Sequence, residues 1–140
     1  MIVVDTNVVS ELMRPSPSGR VRDWIQSQPG RDLYTSAVTV AEVLYGIERL
    51  PQGRRQAELR SVATELFDGF ADQVLTFDAA AAVQYSLIVS RRDRSGLPID
   101  GFDAQIAAIC LASGAALATR NVADFRETGI DVINPWDGQD

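Results

Sequence analysis

The sequence predicts a single α/β domain built on a parallel β-sheet with helices on both faces. Short β-branched runs alternate along the chain with longer segments of helical periodicity, the pattern of a sheet covered on both sides. A length of 140 residues with 46% hydrophobic content suits one core. No repeat, low-complexity stretch or linker interrupts the chain, so one domain is expected over residues 1–140.

Ile2 to Val4 is a buried β-branched run, read as the first strand. Helical patterning follows over Asn7–Met13 and is broken by Pro15 and Pro17. Arg20–Gln28 reads as a second helix, ended by Pro29-Gly30, and Asp32–Thr35 as the second strand. From Val40, the apolar set Val43, Leu44, Ile47 and Leu50 recurs at helical spacing until Pro51 and Gly53. Gln56–Phe70 is a longer helix, Val74–Phe77 a strand and Ala79–Arg94 a helix. After the loop SGLPIDG, Phe102–Ser113 is helical, with Gly114 placed to cap it. Ala116–Thr119 and Asp131–Ile133 complete the strands.

Two absences bound the chemistry. There is no histidine, and all 13 basic residues are arginine. Ser-His-Asp and Cys-His catalysis, His-ligated zinc, the P-loop lysine and Schiff-base lysines are therefore excluded. Arginine keeps its proton and cannot serve as the base instead. Any enzyme here must work through carboxylates, with a metal to activate water.

The single cysteine, Cys110, permits no internal disulfide, and MIVVDTNVVSEL lacks the basic n-region of a signal peptide. No apolar run reaches the roughly 18 residues a spanning helix needs. A cytoplasmic protein is expected. The net charge of −6 argues against a broadly basic nucleic-acid surface. The arginine runs Arg49, Arg54, Arg55, Arg60 and Arg91, Arg92, Arg94 each read as a solvated helix face. Local patches on an acidic protein can still hold a phosphate backbone.

In a parallel α/β sheet, ligands bind beyond the carboxyl ends of the strands, where strand order reverses. Acids stand at several strand–helix junctions: Asp5 after IVV, Glu42 in the first turn of TVAEVLYGI, Asp103 opening FDAQIAAICLA, and Asp124 after Asn121 in RNVADF. Each also has a structural explanation. Asp5 suits an N-cap, Thr39-x-x-Glu42 a capping box, and Asp100 with Asp103 a helix start that favours anions. Together they offer the hard oxygen donors that Mg²⁺ takes, and a phosphodiester is the substrate such a site serves.

The segments MIVVDTNVVSEL, TVAEVLYGI, DAQIAAICLASGAALATRNVADF and INPW, in this order and spanning nearly the whole chain, resemble PIN-domain nucleases. More narrowly they resemble VapC-type toxins of bacterial toxin–antitoxin pairs, in the branch that includes FitB-like proteins. The resemblance implies a PIN-like fold and a Mg²⁺-dependent ribonuclease, with Mn²⁺ as a substitute metal. By the same likeness Asp5 and Asp103 are metal ligands, Glu42 is a further acid, and Thr6 supports the site through its hydroxyl. The fourth position aligns with Asn121, where some relatives place an aspartate directly after T-R, and Asp124 three residues later is the acidic substitute.

A cognate antitoxin wrapping the toxin's helices is also implied, in a homodimer or a toxin–antitoxin hetero-oligomer that meets promoter DNA only through the antitoxin. The expected groove involves Val8, Val9, Leu12, Met13, Val21, Trp24 and Ile25, with Trp24 as a partly exposed anchor. Two other readings compete. One is a catalytically weak module that acts mainly as the antitoxin's binding partner. The other is a receiver-like phospho-acceptor domain, which the missing lysine disfavours.

Overall fold

The computed structural model describes residues 1–137. In chain order the elements are β1 (Ile2–Val4), α1 (Thr6–Leu12), α2 (Gly19–Ser27), β2 (Leu33–Ser36), α3 (Ala37–Glu48) and α4 (Arg54–Phe70). There follow β3 (Val74–Leu75), α5 (Ala79–Arg94), α6 (Gly101–Ser113), β4 (Ala116–Ala118) and β5 (Val132–Ile133). Two short 3-10 turns, Gly30–Asp32 and Val122–Phe125, lead into β2 and follow β4.

The strands form a 5-stranded sheet in the order β3-β2-β1-β4-β5, with every neighbouring pair parallel. The chain steps outward from β1 through β2 to β3, then returns to the opposite side of β1 for β4. Strand order thus reverses between β1 and β4, the place where a sheet of this kind opens a crevice. Val4 is in register with Ala118, so Asp5 and Thr119 leave the sheet side by side.

Alternation along the strands sends side chains to two cores, one on each face. Val3 and Leu117 pack with Ile88 of α5 and Ile106 and Ile109 of α6. Val4 and Ala118 pack on the other face with Val8 and Val9 of α1, Trp24 of α2, Val43 and Ile47 of α3 and Ala63 of α4. The expected α/β architecture, a parallel sheet between helical layers, is what the chain adopts. Gly114 closes α6 in the left-handed region at φ 67°, which glycine occupies without strain. Among the described residues, no helix is long and apolar enough to cross a membrane.

Several expectations need correction. α3 begins at Ala37 rather than Val40, because Ser36 is its N-cap and accepts the Thr39 N–H at 3.1 Å. The Thr39–Glu42 capping box therefore does not form, and Glu42 lies in the second turn of α3 with its carboxylate free for tertiary contacts. β3 stops at Leu75, two residues early, and β4 at Ala118. Trp24 is 9% exposed and belongs to the core, so it is no exposed anchor. Arg92 is 5% exposed, against the expectation of a solvated face.

Candidate active site

β1 delivers Asp5 to the crevice, where it is buried and N-caps α1. Its Oδ1 accepts the Thr6 N–H at 2.8 Å. Its Oδ2 accepts the Thr119 hydroxyl at 2.8 Å and the Asn7 amide at 3.3 Å. An ionised carboxylate offers about four acceptor positions, so these three donors leave room for one more contact at Oδ1. Capping and ligation are compatible roles for this side chain.

Asn7 also donates to Thr119 Oγ1 at 3.0 Å, while its Oδ1 accepts the Arg120 N–H at 3.0 Å. The amide is thereby locked across the ends of β1 and β4. Asn7 and Thr119 are site residues that the motif pattern did not single out; their signal lay in the third residue of DTN and in the residue closing the ALAT strand.

Glu42 reaches the crevice from α3. Its Oε1 accepts the Thr6 hydroxyl at 2.9 Å, and Thr6 also lies 3.3 Å from Thr39 Oγ1. Thr6 thus aims one carboxylate through its side chain and caps against another through its backbone. Asp103 comes from the first turn of α6, whose N-cap is Asp100. Asp100 Oδ1 accepts the N–H groups of Phe102 at 2.9 Å and Asp103 at 3.4 Å. Asp124 enters on the 3-10 turn after β4.

Electrostatics tie these acids into one group. Burial raises the pKa of Asp5, and the nearby charge of Asp124 adds to the rise. Glu42 is raised by burial and by Asp5 and Asp100. Asp103 is pushed up to about 7, by burial first and then by Asp5, Asp100, Asp124 and Glu42. Unneutralised carboxylates in one place disfavour each other's ionised form, and a bound cation reverses that. Asp100, read from sequence only as a helix-start acid, belongs to this charge group.

The fourth position divides as follows. Asn121 engages through its backbone, its N–H donating to Thr119 Oγ1 at 3.1 Å, and its side chain has no hydrogen bond among the described residues. Asp124 shares a cleft of about 140 Å³ with Asp100, Asp103 and Arg92.

Among the described residues, the carboxylates are not already drawn into a closed group of three metal ligands. Asp100, Asp103 and Asp124 line one cleft and Glu42 another, and the charges of Asp5, Asp100, Asp124 and Glu42 all reach Asp103. The donor set, all carboxylate and hydroxyl oxygen with raised carboxylate pKa values, fits Mg²⁺ or Mn²⁺. Mg²⁺ commonly takes one or two protein carboxylates and completes its shell with water and substrate phosphate.

A second, larger cleft of about 530 Å³ starts at Thr6 and Glu42 and runs between α1, α3 and α4 over Met13, Val43, Ile47, Leu50, Leu59 and Val62. Of the residues expected to form a helical groove, Met13 lines it. Val8, Val9, Val21 and Trp24 are buried in the core.

Residues 2–130 match the PIN domain, and the chain belongs to that family. It is 43% identical over 138 residues to the plasmid stability protein StbB of Pseudomonas syringae pv. tomato, covering 98% of this chain and 99% of that one. It is 39% identical over 138 residues to the VapC ribonuclease Y4jK of Sinorhizobium fredii, with the same coverage of 98% and 99%. The fold superimposes on a chain in the structure of FitAB bound to a DNA fragment, with a TM-score of 0.93, 35% identity and coverage of 100% and 99%.

Proposed function

We propose that this chain is the toxin of a toxin–antitoxin pair and a ribonuclease that hydrolyses RNA phosphodiester bonds with a divalent cation, Mg²⁺ or Mn²⁺. The observation that carries the reading is the electrostatic coupling of Asp5, Glu42, Asp103 and Asp124 near the carboxyl ends of β1 and β4. Burial first, and then the charges of neighbouring acids, raise the pKa values of Asp5, Glu42 and Asp103 in a chain that has neither histidine nor lysine. Relatives named VapC ribonuclease and Toxin FitB support it.

Asp5 and Asp103 would hold the cation, Asp5 through the open side of Oδ1. Bound there, the cation would polarise a phosphoryl oxygen and lower the pKa of an attacking water. Glu42, aimed by Thr6, faces the crevice from the opposite helix and is suited to orient water and take its proton. Asp124 adds the fourth acid, and Asn121 holds the turn behind it through its backbone. Asn7 and Thr119 keep the Asp5 carboxylate in one rotamer, so that little reorganisation accompanies the reaction.

The cognate antitoxin would occupy the cleft between α1, α3 and α4. An apolar helix or strand laid over Met13, Val43, Ile47 and Leu59 would end at Glu42 and close the crevice. The structural relatives include FitAcB of Neisseria gonorrhoeae and the FitAB complex bound to a DNA fragment. Promoter DNA would meet this acidic chain through the antitoxin, in a complex working in the cytoplasm.

Expression of the chain alone should arrest growth and shorten cellular RNA, and co-expression of the antitoxin should restore growth. Arrest that persists in an Asp5→Asn, Asp103→Asn double variant would remove the ribonuclease reading.

A further inference from the structure

Arg92, near the end of α5, is 5% exposed and makes no ion pair among the described residues. Its guanidinium is spent on backbone carbonyls from two separate segments. Nε donates to Leu97 O, and Nη2 to Pro98 O at 3.4 Å, in the loop that runs into α6. Nη1 donates to Asp124 O and Arg126 O, both at 2.8 Å, in and after the 3-10 turn beyond β4. The first segment carries Asp100 and Asp103 and the second carries Asp124. The same side chain lines the cleft between these acids.

We infer that Arg92 is a positioning residue that ties the two acid-bearing segments together and sets the spacing between Asp103 and Asp124 across the metal site. The inference rests on the acidic-site reading above. A buried guanidinium satisfied by carbonyls on both sides fixes two loops with one planar group, and it lines the cleft of Asp100, Asp103 and Asp124 without an ion pair to any of them. Lysine has the charge but not the planar fork, and the three donors on its single nitrogen cannot meet all four carbonyls.

The test compares wild type, Arg92→Lys and Ile88→Val, a control that loosens the same helix one turn earlier. Mn²⁺ binding is measured calorimetrically, melting temperature by circular dichroism, and amide hydrogen exchange by mass spectrometry. Arg92→Lys should weaken Mn²⁺ binding about 10-fold or more, the scale of losses beside metal ligands. Exchange should accelerate together in residues 97–103 and 122–126. Ile88→Val should lower the melting temperature with Mn²⁺ affinity unchanged.

An Arg92→Lys variant that is less thermostable yet binds Mn²⁺ like wild type makes Arg92 a purely structural residue and overturns the inference. If Arg92→Lys does not fold, wild-type exchange decides. Joint opening of the two segments with one denaturant dependence supports the tie, and independent opening refutes it. Absence of Mn²⁺ binding by wild type would refute the metal site, while exchange would still judge the tie.

Discussion

The Thr119 hydroxyl donates to Asp5 Oδ2 at 2.8 Å and joins the carboxyl ends of two adjacent parallel strands, β1 and β4, where the sheet reverses its order. Both side chains are buried, so the bond holds the central carboxylate with little competition from water. Thr119→Val removes a donor from a buried carboxylate and should cost about 1–3 kcal/mol, read from urea denaturation. In an Asp5→Asn background the same substitution should cost less, because the acceptor no longer carries a full charge. Equal costs in both backgrounds would mean that the pair is not coupled.

The acid group sets the pH dependence of the metal-free protein. Asp103 is raised from 3.8 to about 7, so the folded state binds its proton more tightly than the unfolded chain does. Its contribution to stability is full below the unfolded value and is lost as pH rises through about 7. Asp5 and Glu42, also raised, act in the same direction. Without metal the urea midpoint should therefore fall between pH 5 and pH 7.5. Millimolar Mg²⁺ or Mn²⁺ should offset much of that fall, since the cation binds the ionised form.

Neutralising one acid should stabilise the fold at the expense of chemistry. Asp103→Asn removes the cost of burying a charge and the repulsion from Asp5, Asp100, Asp124 and Glu42, and should raise the metal-free melting temperature at pH 7.5 by a few degrees. The gain should vanish at pH 4, where wild-type Asp103 is already protonated. A lower melting temperature at both pH values would instead assign Asp103 a helix-start role.

Thr6 is coupled to Glu42 through a 2.9 Å hydrogen bond that favours the ionised carboxylate. Thr6→Val should raise the Glu42 pKa further and reduce RNA cleavage about 10-fold, with the acid limb of the pH–rate profile displaced to higher pH. A reduced rate with an unshifted limb would show that Thr6 acts through packing alone.

For the fourth position, Asp124→Ala should weaken Mn²⁺ binding and cleavage. Asn121→Ala, which keeps the backbone N–H on Thr119, should change both by less than about threefold, within the range of surface substitutions. The reverse order in a side-by-side titration would give the position to Asn121.

The sheet was legible because most strands are short apolar runs bounded by turn residues (β2, LYTS, is half polar), and their parallel direction followed from the helices between them. Asp5 could be found because an acid at a strand end is conspicuous in a chain without histidine or lysine; Asp103, expected at a strand–helix junction, instead opens α6 directly after α5 and the loop that follows it. The start of α3 was not legible. SAVTVAE offers Ser36 and Thr39 as caps at the same spacing from a polar partner, and only β2 running up to Ser36 decides between them. Trp24 was misplaced because α2 is short and its buried face is set by the sheet beneath it. Arg92 was hidden in RRDR, a run whose composition reads as solvated, since its partners are main-chain carbonyls that leave no trace in residue identity. Asp100 was masked by its capping role, and its part in the charge group appears only when α3, α6 and the β4 turn meet.

The most direct test is cleavage of RNA by the purified, antitoxin-free protein across a Mg²⁺ titration, with Asp5→Asn and Asp103→Asn run beside it. Wild-type activity should rise from none in chelator to saturation at millimolar metal, and both variants should fall by about 10³-fold or more, as expected when metal-held water is lost. Cleavage that persists in chelator, or variants that cut like wild type, would contradict a carboxylate-held metal at the ends of β1 and β4.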